Sequence, residues 1–268
     1  MTKELKKTNT LFHTISEYKF LEQIILNRGF KASYADETIS GMNVKILMIS
    51  FSNVALFESE TQINYGSYSI GLKLEWGKQR ELEPVIYTYS ESTMGITFFE
   101  NYFIAEKDQA ILTFIEKEKT QEKMDPATFG LILDLKQISE NSHKMLLYLK
   151  RDIVKNKKGV EFKAFNDREW RFICNDKNHT PIIFERNFLN GAWNTHYEEA
   201  KTFPKPFTQK TVLQFNLEDV KYIVVPTIDE KKQILKALCD TFGRDNVINQ
   251  IINGELDILS RNSLWDDI

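Results

Sequence analysis

The stretch Tyr65–Gly77, YGSYSIGLKLEWG, decides how the chain is read. It sets Tyr65 and Tyr68 three apart and places Gly66, Gly71 and Gly77 among them. Glycine suits a backbone that turns sharply or lies close to a neighbour. Tyrosine offers a flat apolar ring with a polar tip, suited to gripping a ligand. Read locally, the stretch is a tight, aromatic-lined turn that leads into a helix starting at Ser69. That is the outline of a pocket wall. No metal or phosphate motif accompanies it.

Outward from this stretch, 268 residues with 42% hydrophobic and 27% charged side chains describe an ordinary globular protein able to bury a sizeable core. A net charge of −3 supplies no strong attractive field for nucleic acid, so such a partner is not indicated. No apolar run approaches the roughly 20 residues that span a bilayer. MTKELKKTNT carries charge without a following apolar core, unlike a signal peptide. Cys174 and Cys239 are too few for a disulfide framework. A cytoplasmic protein with reduced thiols is the expectation, organised as a single domain over 1–268 with loose ends at 1–10 and 260–268.

In chain order, residues 10–14 predict a short strand, and Ser16 caps a helix that carries Phe20, Leu21, Ile24 and Ile25 and stops at Gly29. KILMISF (45–51) is a continuous apolar run and predicts a buried strand. Residues 54–60 suggest a short helical turn, and 84–89 another strand. The apolar spacing from Thr97 to Lys123 predicts a long helix. NKKG (156–159) ends a segment that turns as a hairpin, and the alternation of Trp170, Phe172 and Cys174 predicts a half-buried strand. VKYIVV (220–225) is a strand closed by Pro226. Thr227 or Asp229 then caps a helix whose stripe is Ile234, Leu235, Leu238 and Phe242, ended by Gly243. A last amphipathic segment covers 245–259. The fold class expected is mixed α+β, with a central, partly antiparallel sheet and surrounding helices.

Few side chains announce chemistry. His13 lies inside an apolar strand, where a buried, hydrogen-bonded structural role is the commoner fate; the functional alternative is contact with a ribose or similar polyol. His143, His179 and His196 show no metal-ligand spacing, and Cys174 with His179 lacks a second pair, so no metal is expected. Walker, dinucleotide-binding and nucleophile-elbow motifs are absent. Glu169 stands between Arg168 and Trp170 at the start of a strand, either as a surface residue paired with Arg168 or Arg171 or as a carboxylate set for chemistry.

Five pieces taken together resemble the AbiGi family of bacterial abortive-infection proteins. They are LFHT (11–14), the helix ending in Gly29-Phe30, YGSYSIGLKLEWG, Pro84-Val85 with Tyr87, and FNDREWR (165–171). The resemblance spans about residues 10–230 and is most specific at 65–77. It implies a part in phage defence on the antitoxin side of a pair, with a cognate protein partner of the same operon. Where the family carries a cysteine-containing FCDIP-like stretch, this chain has LMISFS (47–52), which removes a thiol or proline from that place.

The layout also resembles the His–Tyr–Glu plan of ADP-ribosyltransferases, which use NAD as substrate, and implies an ADP-ribosyltransferase-like version of the fold. By that resemblance His13, with Thr14 beside it, holds a ribose, Tyr65 or Tyr68 stacks on nicotinamide next to Gly66, and Glu169 stabilises charge at the anomeric carbon. The sequence therefore carries three molecular readings: an interaction protein that restrains or senses a partner, an NAD-consuming transferase, and a degenerate enzyme fold that binds nucleotide or nucleic acid without turnover. Convergence of His13, Tyr65 or Tyr68 and Glu169 on one cleft separates the second from the others.

Overall fold

The computed structural model describes residues 7–39, 41–55, 66–89, 126–155, 161–174, 181–185 and 212–262, with isolated positions 92–94, 96, 97, 100, 101, 104, 107, 108 and 197. The chain opens with β1 (Lys7–Ile15) and α1 (Tyr18–Leu26), then β2 (Gly29–Lys31), β3 (Ser33–Ile39) and the long β4 (Met42–Val54). β5 (Tyr68–Lys73) runs directly into α2 (Leu74–Gln79), followed by the short β6 (Glu83–Pro84) and β7 (Ile86–Thr88). Helix α3 (Pro126–Leu147) leads into β8 (Leu149–Arg151), and β9 (Ile153–Lys155) pairs with β10 (Glu161–Lys163) as the expected hairpin. A 3-10 turn (Ala164–Asp167) precedes β11 (Glu169–Ile173), and β12 (Ile182–Phe184) and β13 (Val212–Gln214) follow. β14 (Val220–Val225), α4 (Ile228–Phe242), α5 (Arg244–Ile252) and β15 (Asp257–Ser260) end the described part.

β4 is the spine of the sheet. Its first half pairs with β3 on one side and β12 on the other; its second half pairs with β1 and β11. The sheet runs β15-β14-β5-β1-β4-β11-β6, antiparallel throughout except for the β14–β15 pair. The mixed, mostly antiparallel α+β class is therefore as expected. A strand covered on both faces must be apolar in both registers, and this explains the continuous run KILMISF. Leu47, Ile49 and Phe51 join the core beneath α1, α2, α4 and α5, with Leu11, Ile70, Ile223, Ile234 and Leu238. Val44, Ile46 and Met48 face the other way and pack with Ile39, Ile182 and Leu146, Leu147 and Leu149 at the end of α3.

The opening stretch departs from its local reading. Tyr68–Lys73 is a strand, and the helix begins only at Leu74. Ser69, Ile70, Gly71 and Leu72 are all buried, because β1 and β14 flank the segment and both of its faces are covered. Those pairings outweigh a helix start suggested by one serine. Gly71 is needed for space: a Cβ there would lie 2.7 Å from Phe12 Cε1. The rings of Phe12 and Tyr222 stack across the gap, 6.0 Å between centroids and 21° between planes. Gly66 sits so close to β1 that an added Cβ would stand 2.1 Å from the Ile15 carbonyl oxygen. The close approach is to the protein's own backbone.

Other local readings shift as well. Glu17, not Ser16, occupies the cap position of α1, without a side-chain cap bond. Residues 97–123 lie almost wholly outside the described residues, as does most of 54–60. The final amphipathic segment resolves into α5 and β15.

Candidate functional site

The polar centre of the described structure is a buried group of four charges on the α3 side of the sheet. Glu37 comes from β3, Lys150 from β8, and Glu169 and Arg171 from β11. The period-2 alternation of β11 puts Glu169 and Arg171 on one face, and Trp170 and Phe172 on the other. Arg171 Nε donates to Glu169 Oε1 at 2.6 Å, and its Nη2 donates to Glu37 Oε1 at 2.6 Å. Lys150 Nζ donates to Glu169 Oε2 and lies 3.7 Å from Glu37 Oε1. The remaining Arg171 nitrogen, Nη1, donates to the carbonyls of Leu147 at 2.9 Å and Leu149 at 3.2 Å. Arg171 thereby satisfies the last carbonyl of α3, where a cation is favoured, and the first of β8.

Arg171 is 0% and Glu169 5% exposed, so neither charge is spread into water. Burial pushes the Glu169 carboxyl up, but Arg171 and Lys150 outweigh it and hold the group down at about 2. Burial likewise works against the Arg171 cation, and the adjoining Glu169 and Glu37 carboxylates more than offset it. Two cations and two carboxylates balance. The Glu169 backbone N–H donates to Tyr87 Oη at 2.8 Å, and burial raises the Tyr87 hydroxyl. Both Glu169 oxygens are thus engaged by cations of the fold. The arrangement ties β3, β8, β11 and the end of α3 together.

Among the described residues, His13 and Glu169 stand on opposite faces of the sheet. Phe12 of β1 and Glu169 of β11 both stand opposite Ser52 of β4. Neighbouring residues alternate between faces, so His13 lies on the face opposite Glu169. His13 Nδ1–H donates to the Ser50 carbonyl at 2.9 Å, and the ring packs on Phe30 and Phe51 at 5.1 and 5.5 Å. Burial lowers its pKa, with the Ser50 bond opposing, which keeps the imidazole neutral. The side chain is half-buried and hydrogen-bonded within the fold. Thr14 is half-buried and paired in register with Ser69.

Tyr68 shares the face of His13 but turns to the start of α4. Its hydroxyl donates to Glu230 Oε1 at 2.6 Å, and its ring meets Tyr18 edge-on at 6.3 Å. Burial first, and then Glu230, push that hydroxyl up to about 12. Tyr65 lies outside the described residues. Gly66 is occupied by its contact with Ile15.

Glu169 does pair with Arg171, but in the interior and not on the surface. Sequence reasoning passed over Glu37, Lys150 and the hydroxyl of Tyr87. The available signal was a charge embedded in strand-forming residues, as in YADETI (34–39) and YLKR (148–151). Lys45 is a second case: it is 2% exposed, bound to Asp36, and held 4.7 Å from the centre of the Tyr197 ring. Among the described residues, no group of His, Cys, Asp and Glu is placed to hold a metal ion, and no helix is long and apolar enough to cross a membrane.

Comparison with known proteins places this sequence in a family. A family model described as "Putative abortive phage resistance protein AbiGi, antitoxin" matches residues 31–226. The chain belongs to the AbiGi family. The AbiGi match takes in YGSYSIGLKLEWG and FNDREWR, whereas LFHT falls before its start. An AbiGi relative, the abortive phage resistance protein AbiGi of Lactococcus lactis subsp. cremoris, is 24% identical over 215 residues, which are 79% of this chain and 80% of that protein. No solved structure matches. As an AbiGi protein, the chain is a component of abortive-infection phage defence.

Proposed function

We propose that the chain acts as the antitoxin of an abortive-infection pair, binding a partner toxin and restraining it until infection. The AbiGi match carries this reading, since the family description names an antitoxin. The chemistry of the described residues supports it. Glu169 is held by Arg171 and Lys150, Tyr68 by Glu230, and His13 by Ser50, so each has a partner within the fold. Apolar side chains are exposed on α3: Phe129, Leu131, Leu133 and Ile138 are 48–54% exposed.

The test is co-expression with the product of the neighbouring gene. Growth arrest by that product should be relieved by this chain, and the two should co-purify as a complex at micromolar concentration. Persistent arrest with no complex overturns the antitoxin assignment. Release of nicotinamide from NAD by the chain alone would move the function to the transferase class.

A further inference from the structure

A groove of about 740 Å³ opens between the second half of α3, the α2–β6 turn and the ends of β11 and β12. Its floor is apolar: Leu147, Tyr148, Phe172 and Pro181. Its rim carries the carboxylates of Glu81, Glu83 and Glu140, all on exposed residues. None of these three has an ion-pair partner within the described residues. The counter-charge in the lining is Lys144, one turn beyond Glu140, with His143 beside it. The carboxylates act across the floor, because after burial it is Glu83, and more weakly Glu81, that raise the Tyr148 hydroxyl against the pull of Arg171.

An apolar floor under an excess of unneutralised negative charge is complementary to an arginine or lysine. The aliphatic stem covers apolar surface while the cation meets the rim. We propose that this groove receives a basic segment of the partner toxin, an Arg or Lys side chain lying along Tyr148 and Phe172 with its charge among Glu81, Glu83 and Glu140. The proposal rests on the antitoxin reading and deepens it by stating the chemistry of the partner.

The experiment compares the full chain with the triple variant E81Q/E83Q/E140Q in calorimetric titration against the neighbouring-gene product. A control variant, D240N/D245N/E255Q, makes the same change of charge at exposed residues of α4, the first turn of α5 and the turn before β15. The rim variant should bind on the order of tenfold more weakly at 50 mM salt, mostly through slower association, and the gap should close at 500 mM as screening sets in. The control should bind like the wild type. Equal affinity of wild type and rim variant, both folded by circular dichroism, overturns the groove and leaves the antitoxin reading intact. If the wild type does not bind the neighbouring product, that reading fails, and a probe peptide then decides the groove. Acetyl-Leu-Arg-Leu-Arg-Leu-amide, titrated into labelled protein, should shift amide resonances of Tyr148, Phe172 and Ile173 in the wild type and not in the rim variant. Absence of those shifts in the wild type overturns the proposal.

Discussion

Glu169 shows how neighbours decide the meaning of one carboxylate. A lone glutamate at this depth would take up a proton, because burial disfavours the charged form. Arg171 and Lys150 reverse the balance, and the carboxyl falls to about 2. Glu169→Gln keeps the shape and leaves two buried cations facing the single carboxylate of Glu37. Removing one member of a buried ion group costs about 3–5 kcal/mol through the charge left uncompensated. That loss should appear as a lowered urea midpoint. Adding Lys150→Met restores the balance and should recover much of it, a coupling that a double-mutant cycle reads directly. A loss below about 1 kcal/mol in the single variant would show that Arg171 is compensated elsewhere.

At the scale of elements, α4 behaves as its sequence says. Thr227 and Glu230 form a reciprocal capping box, and Glu230 also accepts the Tyr68 hydroxyl, which fastens the helix start to β5. Ile234 and Leu238 are fully buried, while Leu235 and Phe242 pack at the edge of the same core. Leu238→Ala should destabilise the protein by about 2–5 kcal/mol, the cost of lost burial plus a residual cavity. Denaturant titration measures it, and a loss under about 1 kcal/mol would show that the helix contributes little to the core. β5 teaches the opposite lesson. Its sequence suggested a helix start, and its strand pairings with β1 and β14 overrode that signal.

At the scale of the whole molecule, His13 and Glu169 should give stability an acid limb in two stages. His13 has a pKa lowered from 6.5 in the folded state, so the unfolded chain gains a proton below that pH while the folded chain resists it. Stability should therefore decline as pH falls below 6.5, with a limiting slope of about 1.4 kcal/mol per pH unit for one proton. Glu169, lowered from 4.5 to about 2, contributes stability that is present above 4.5 and lost as pH falls toward 2. Urea midpoints from pH 8 to pH 3 should show both stages. In His13→Gln the upper stage should flatten while the lower one remains; an unchanged upper stage would assign it to other groups.

The sequence by itself determined the α+β class, the buried strands at 45–51 and 220–225, the capped helix that follows Pro226 and, through YGSYSIGLKLEWG and FNDREWR, the AbiGi family. These are legible because periodicity, caps and turns are local properties of the chain. The tertiary structure alone decided which face each chemical residue takes. A linear reading left a structural and a functional role open for both His13 and Glu169, and the register of β1 and β11 on Ser52 sets them on opposite sides of the sheet. The ion group joins Glu37 to Lys150 and Glu169, which lie more than a hundred residues further along the chain, and only strand pairing brings them together. A charge that reads as solvated is buried here because its compensating charges arrive from distant strands. No local pattern records that pairing.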